Sequence, residues 1–386
     1  MGDPAPARVL LVNHVGEVSG AENSLLTLAH HLDRRRIQPV AAVPAGRLAA
    51  ELDALKVPVS LLPPLRLNRP RNPWEAFSGW LRLKRWGAAL GTAAEELGAQ
   101  LIAANSVIAA VAAAGGPARE LPIVWHARDL RAPRRAVRWV VPRVTRIAAI
   151  SACVADNLCE AHPAAQDRIT LIYNGIDRTL FYPERSRTEV LREFRIADDA
   201  IVIGNIGQLV PWKRQDLFLE AAAGILARNS RAWFLVVGAD IFGDHPEYVA
   251  DLRQTAVRLG LSGRLVFTGY REDVASLMGA MDVLVHCAAD EPLGRVLIEA
   301  MSLGVPCVAV DRCGPSEVIE DGESGILVPP DEPRAISDRV VELLSRQGGA
   351  ERMGATARRR VDDLFSASRM ARLTENLYEE ALAAAR

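Results

Sequence analysis

Short apolar runs rich in β-branched residues alternate with helix-like stretches along nearly the whole chain. Val9–Asn13, Val40–Val43, Leu101–Ala104, Ile123–His126, Arg146–Ile150 and Ile169–Tyr173 read as buried strands. The pattern restarts with Ile201–Ile206, Ala232–Val237, Arg264–Thr268, Val283–His286, Cys307–Val310 and Gly325–Val328. Apolar positions at helical spacing mark Ala21–Leu32, Ala88–Leu97 and Asp216–Ala227 between them, and a long tail helix over Asp362–Arg386. Parallel strands buried on both faces give continuous apolar runs and need helical crossovers. The alternation therefore predicts an α/β chain with two Rossmann-like, doubly wound sheets. Turn residues, a proline and charges gather in NGIDRTLFYPERSR, 174–187, which places the boundary between them. The expected division is 1–182, 183–365 and a final helix, 366–386. Open α/β sheets bind ligands beyond the carboxyl ends of their strands, so two facing sheets predict a cleft.

Length supports two domains, since 386 residues exceed what one core usually serves. With 49% apolar and 24% charged residues, the composition is that of an ordinary soluble enzyme. The apolar run near the N-terminus is too short for a signal peptide or a span of roughly 20 residues. It reads instead as the first strand, and a cytoplasmic protein is expected. The cysteines (Cys153, Cys159, Cys287, Cys307, Cys313) form no C-x-x-C pair, and no Cys/His cluster has zinc spacing, so no metal is expected.

The formal charge of −1 hides an asymmetry. Residues 1–187 hold 24 Lys/Arg against 16 Asp/Glu, and the remainder holds 22 against 31. A basic N-terminal half suits an anionic membrane surface or a phosphorylated substrate. No nucleic-acid motif accompanies the charge, so no nucleic-acid partner is expected. Within that half, Pro73–Leu90 mixes Trp74, Phe77, Trp80 and Trp86 with Arg82, Lys84 and Arg85. Such a helix fits an anionic membrane interface, or a packed helix with snorkelling cations; the sequence leaves both open.

Candidate chemistry centres on DEPLGRVLIEAMSLGVPCVAV, 290–310. Glu291 and Glu299 stand eight residues apart around a Pro-Leu-Gly-Arg turn, between two buried strands. A helix starting near Leu293 leaves Glu291 on the preceding loop and carries Glu299 about two turns in. On one continuous helix the two would lie ~12 Å apart. They could then grip two ends of a long ligand, with a phosphate between them on the helix start and Gly294 allowing close approach. A capped helix with one solvent-facing Glu has the same spacing. Lys213 and Arg214 occupy a strand-to-helix loop, where cations oppose the helix dipole and suit a diphosphate. Gly269 and Tyr270 end another strand and offer a surface for a base or ribose. Gly20, in the first strand-to-helix loop, is a candidate anion cradle or a plain tight turn. His126 ends a strand and leads into Ala127-Arg128-Asp129.

Several segments carry a resemblance. They are GQLVPWKRQD at 207–216, Val236–Gly238, FTGY at 267–270, EPLGRVLIEAMSLGVP at 291–306, Gly314–Glu317, Asp321–Gly325, Asn174–Asp177 and Ser19–Glu22. In these the chain resembles the retaining, nucleotide-sugar-dependent glycosyltransferases of family 4, which have the two-domain GT-B fold. The match is dense from Ile203 to Pro330 and looser in the N-terminal half.

The resemblance implies that Glu291 contacts the donor sugar and Glu299 holds the nucleotide ribose. Leu293, Gly294 and Arg295 would lie near the sugar and phosphates. Lys213 matches the lysine that neutralises the departing diphosphate, and His126 the histidine beside the reacting sugar. The family usually has Arg where this chain has Gln208, so one phosphate cation is missing, with Arg214 as a substitute left open. The implied reaction retains configuration by front-face attack, with the departing phosphate helping to deprotonate the acceptor, without metal or cofactor. The donor would be a uridine diphosphate sugar first and a guanosine diphosphate sugar second. The acceptor would be a glycan, a lipid-linked glycan or a polysaccharide precursor, with peripheral contact to an anionic membrane. The tail helix would cross back to the N-terminal domain. Alternatives on the same fold are a sugar-nucleotide epimerase and a non-catalytic sugar-nucleotide-binding protein.

Overall fold

The strands of the protein form two sheets, each parallel throughout. The computed structural model describes residues 5–65, 67 and 71–385. Residues 1–4 and 386, at the ends of the expected first domain and tail helix, lie outside the described residues. In the first sheet β1 (Ala7–Val12), β2 (Ile37–Pro44), β3 (Val59–Leu62), β4 (Leu101–Ala104), β5 (Ile123–Ala127), β6 (Arg146–Ala149) and β7 (Ile169–Leu171) lie in the order β3-β2-β1-β4-β5-β6-β7. In the second, β8 (Ile201–Ile206), β9 (Ala232–Val237), β10 (Leu265–Gly269), β11 (Val283–His286), β12 (Cys307–Val310) and β13 (Ile326–Val328) lie in the order β10-β9-β8-β11-β12-β13. The expected fold class, two doubly wound α/β domains, is what the chain adopts. In each sheet the winding direction reverses once, between β1 and β4 and between β8 and β11. Such a switch point leaves a crevice beyond the strand ends.

The chain divides into two compact units, 1–175 with 367–386, and 176–366. In the first, Val9, Leu11, Ala41, Val43 and Leu101 of the sheet pack with Leu25 and Leu28 of helix Gly20–His31. The same core takes in Met370, Leu377, Tyr378 and Ala381 from helix Ala367–Ala384. In the second, Ile203, Phe234, Val236, Val283 and Val308 pack with Phe218 and Ile225 of helix Gln215–Leu226 and with Val340. The tail is not one helix from Asp362. Gly349–Leu364 and Ala367–Ala384 are separate, because the Phe365 carbonyl accepts from Ile176 N–H at 2.8 Å and Ser366 bridges Ile176.

Helix starts set the positions of several polar side chains. Ser19 caps helix Gly20–His31 in a capping box with Glu22. Helix Arg295–Leu303 begins two residues later than Leu293, because Gly294 takes φ = +93°, a left-handed conformation open to glycine. The Trp-rich segment forms the first three quarters of a single helix, Pro73–Glu96, capped by Asn72 Oδ1 accepting from Glu75 N–H at 2.9 Å. Trp86 and Leu90 face the core, while Trp74, Phe77 and Trp80 are exposed.

Candidate active site

The second unit gathers its polar side chains at the carboxyl ends of β8 and β11, on either side of the switch point. These strands pair through Val283 with Ile203 and Leu284 with Gly204. Asn205 Nδ2 ties them further by donating to the Val285 carbonyl at 2.9 Å. Beyond β8 the chain runs through Gly207 and Gln208 into a tight turn, Pro211–Lys213. Beyond β11 it runs through Glu291 to Gly294 and into helix Arg295–Leu303. The two loops meet where Lys213 Nζ donates to Glu291 Oε2. His286, the last residue of β11, brings Nε2 to 3.3 Å from the same oxygen, and among the described residues that nitrogen makes no hydrogen bond that satisfies it.

This cluster is largely shielded from water: the side chains of Lys213, Glu291 and His286 are 23%, 13% and 3% exposed. Burial by itself raises a carboxyl pKa, but the Lys213 charge and the His286 contact outweigh it. Glu291 is therefore held well below its ordinary value and stays anionic. One turn and more into the helix, Glu299 Oε1 accepts from Arg295 Nε at 2.6 Å. Each of the two carboxylates singled out from the sequence thus has a cation on it.

Other expected site residues are placed differently. Arg214 is committed elsewhere: it adopts φ = +53°, and its guanidinium pairs with Asp216 at 3.1 Å and with Asp331. Gln208 takes part through its carbonyl, which accepts from Gln215 Nε2 at 2.8 Å. Leu293 is buried, and the Gly269 carbonyl accepts from Gly238 N–H at 3.0 Å, with Tyr270 exposed beside it.

In the first unit, Gly20 opens its helix, but the adjoining Ser19 N–H is already taken by Glu22 Oε2 at 3.1 Å. That N–H of the loop is therefore used within the chain. Asn13 Nδ2 fixes the other oxygen of Glu22 at 3.0 Å. His126 is buried one residue short of the end of β5. Its Nε2 lies 2.8 Å from the Tyr378 hydroxyl of the last helix. Burial, with the Arg128 charge adding to it, lowers its pKa to about 3, so the ring is neutral at physiological pH.

His286 was missed in the sequence. Its signal is a titratable residue closing an otherwise apolar strand, five positions before Glu291. Asn205 closes in on β11 from the neighbouring strand and carries no comparable signal.

Two Rossmann-like, doubly wound units are the architecture of the GT-B fold. The family described as glycosyl transferases group 1 matches residues 186–360, and glycosyltransferase family 4 matches residues 18–180. The chain belongs to the family 4, group 1 glycosyltransferases. It is 28% identical over 214 residues to an N-acetyl-alpha-D-glucosaminyl L-malate synthase of Bacillus anthracis, covering 55% of this chain and 54% of that protein. It is 31% identical over 287 residues to a D-inositol 3-phosphate glycosyltransferase of Geodermatophilus obscurus, covering 73% and 59%. The chain spans between about half and two thirds of the length of the curated relatives it matches. Among solved structures, HepE of Anabaena in complex with UDP-glucose superposes with a TM-score of 0.83 at 26% identity, over 97% of this chain and 99% of that one.

Proposed function

We propose that this protein is a retaining, metal-independent hexosyltransferase. It moves a hexose from a nucleoside diphosphate sugar to a glycan, a lipid-linked glycan or a polysaccharide precursor. The observation that carries the reading is Glu291: a buried carboxylate kept ionised by Lys213 and His286, eight residues from a second carboxylate at a switch point. In this reading Glu291 accepts hydrogen bonds from sugar hydroxyls and Glu299 from the ribose. Breaking the glycosyl–phosphate bond puts positive charge on the sugar and negative charge on the diphosphate. Lys213 neutralises the latter, and the free N–H groups that open helix Arg295–Leu303 add to it. The departing phosphate takes the acceptor proton, and no covalent carboxylate intermediate is needed.

The preference for a uridine nucleotide is supported by the similar HepE, which was solved with UDP-glucose and with UDP. A thermal-shift screen against UDP- and GDP-sugars, with and without magnesium, tests the reading, since binding to the folded state raises Tm. The expected result is a shift with one nucleotide sugar, indifferent to magnesium and lost in Glu299→Ala. No shift with any of them would count against a donor site here.

Peripheral contact with an anionic membrane belongs to the same proposal. Trp74, Phe77 and Trp80 are exposed side by side on helix Pro73–Glu96, with Phe77 stacked on Trp80. A groove of about 250 Å³ lies between Trp80 and Trp139, floored by Ala112, Gly115 and Gly116. Each tryptophan carries a cation on its face, Lys84 at 4.7 Å and Arg143 at 4.4 Å. Residues 130–155 hold Arg131, Arg134, Arg135, Arg138, Arg143 and Arg146 without one Asp or Glu. Among the described residues no helix is long and apolar enough to cross a membrane. Co-sedimentation with phosphatidylglycerol vesicles at low salt is expected, weakening about tenfold or more in Arg82→Gln/Arg85→Gln and falling as salt rises. Equal recovery of the variant and the wild type would remove the membrane from the proposal.

A further inference from the structure

We infer that the guanidinium of Arg295 is the second phosphate-binding cation of this site, in the role that Gln208 leaves unfilled. The inference rests on the nucleotide-sugar reading above and specifies who holds the diphosphate.

A nucleoside diphosphate brings more than one negative charge, and cleavage of its sugar bond adds to the load on the leaving group. Lys213 offers one positive charge. The amide of Gln208 offers none. Among the other arginines at the strand ends of this unit, Arg214 is held between Asp216 and Asp331. Arg271 is held between Glu193 and Asp273. Arg312 is exposed and stands 3.8 Å from Asp290.

Arg295 differs from all three. Its Nε donates to Glu299 at 2.6 Å, yet its Nη1 is buried with no hydrogen-bond partner among the described residues. A guanidinium has five N–H donors, and a buried charged donor without an acceptor is costly. Such an atom marks a missing acceptor. Its place in the chain says which one. Arg295 stands four residues after Glu291 and four before Glu299. If those carboxylates grip the sugar and the ribose at the donor's two ends, Arg295 lies midway, where the diphosphate joins them.

The fork geometry of arginine then does two things at once. Nε keeps Glu299 in place for the ribose, and Nη1 takes a phosphate oxygen as a charge-assisted hydrogen bond. Lysine, a point charge on a flexible stem, cannot reproduce both contacts.

The test is equilibrium binding of UDP and of uridine, which lacks the phosphates, to the wild type, Arg295→Met, Arg295→Lys and Gln208→Arg/Arg295→Met. Arg295→Met is expected to weaken UDP binding roughly 10–100-fold while changing uridine binding far less. Arg295→Lys should recover little of the loss and also serves if the methionine variant does not fold. Gln208→Arg/Arg295→Met should recover most of it. Equal losses for UDP and uridine would mean that Arg295 only positions Glu299, and would overturn the inference. So would unchanged UDP binding in Arg295→Met while the wild type binds UDP. A wild type that binds neither UDP nor GDP would defeat the donor reading itself, and this inference with it.

Discussion

Lys213→Met is expected to lower turnover at saturating donor by roughly 10²–10³, the cost of losing one preorganised group that meets charge in the transition state. The same substitution should also destabilise the donor-free protein, and the pH dependence of that loss identifies its cause. In the wild type the Glu291 pKa in the folded state lies below its ordinary value of 4.5. The pair therefore contributes stability that is fully present above about that pH and is lost as pH falls below it. Without Lys213, burial dominates and the Glu291 pKa rises. At neutral pH the carboxylate is then a buried anion with only His286 beside it.

Orphaning a buried charge costs ~3 kcal/mol or more. For a unit of this size that corresponds to a fall in Tm of roughly 6–12 °C. As the pH drops, Glu291 takes up a proton and the penalty fades. The Tm gap between wild type and variant should thus be widest at about pH 7–8 and narrow towards about pH 4. Scanning fluorimetry across that range gives the answer. A gap that did not change with pH would mean that Lys213 acts on stability through something other than Glu291.

The sheets were legible because their strands are buried on both faces. Leu101–Ala104, Ile201–Ile206, Ala232–Val237, Val283–His286 and Cys307–Val310 are observed with the bounds their apolar runs predict. β3 was not legible: it lies at a sheet edge, Leu61 is 62% exposed, and prolines bracket it. Its four residues, VSLL, are too short and too interrupted by Ser60 to give the continuous apolar run that betrays the other strands. The break in the tail helix was equally hidden, since the extended Ser366 is drawn to Ile176, far away in sequence.

The site divides along the same line. Glu291, Glu299 and Lys213 announce themselves through spacing and neighbouring strand ends. What each side chain actually meets does not. Glu291 finds its cation 78 residues away, Arg214 its second carboxylate 117 residues away, and His126 its hydroxyl partner 252 residues away. No local pattern encodes such partners. They decide that Arg214 is occupied, that His126 is a neutral buried ring, and that Arg295 retains an unused donor.

Gly314→Ala is expected to cut turnover about 100-fold and to destabilise the protein by ~3 kcal/mol, although the residue bears no functional group. A methyl group at Gly314 would stand 2.2 Å from Leu293 Cα and 2.5 Å from its neighbouring backbone atoms. Carbon atoms separate to about 3.5–4.0 Å, and here a Cβ fixed by its own backbone meets backbone atoms of Leu293, so no rotamer change relieves it. The loop Glu291–Gly294 must move by on the order of 1 Å instead. That shift strains the hydrogen bond from Gly314 N–H to the Glu291 carbonyl, 3.1 Å long, and carries Glu291 off Lys213 and His286. Steady-state kinetics, UDP affinity and urea unfolding would register the three consequences separately. Near-normal kinetics would show that the loop can move without disturbing the carboxylate. The pH scan separates this variant from Lys213→Met: a steric penalty persists at every pH, whereas the penalty of an orphaned charge ends once that charge is neutralised.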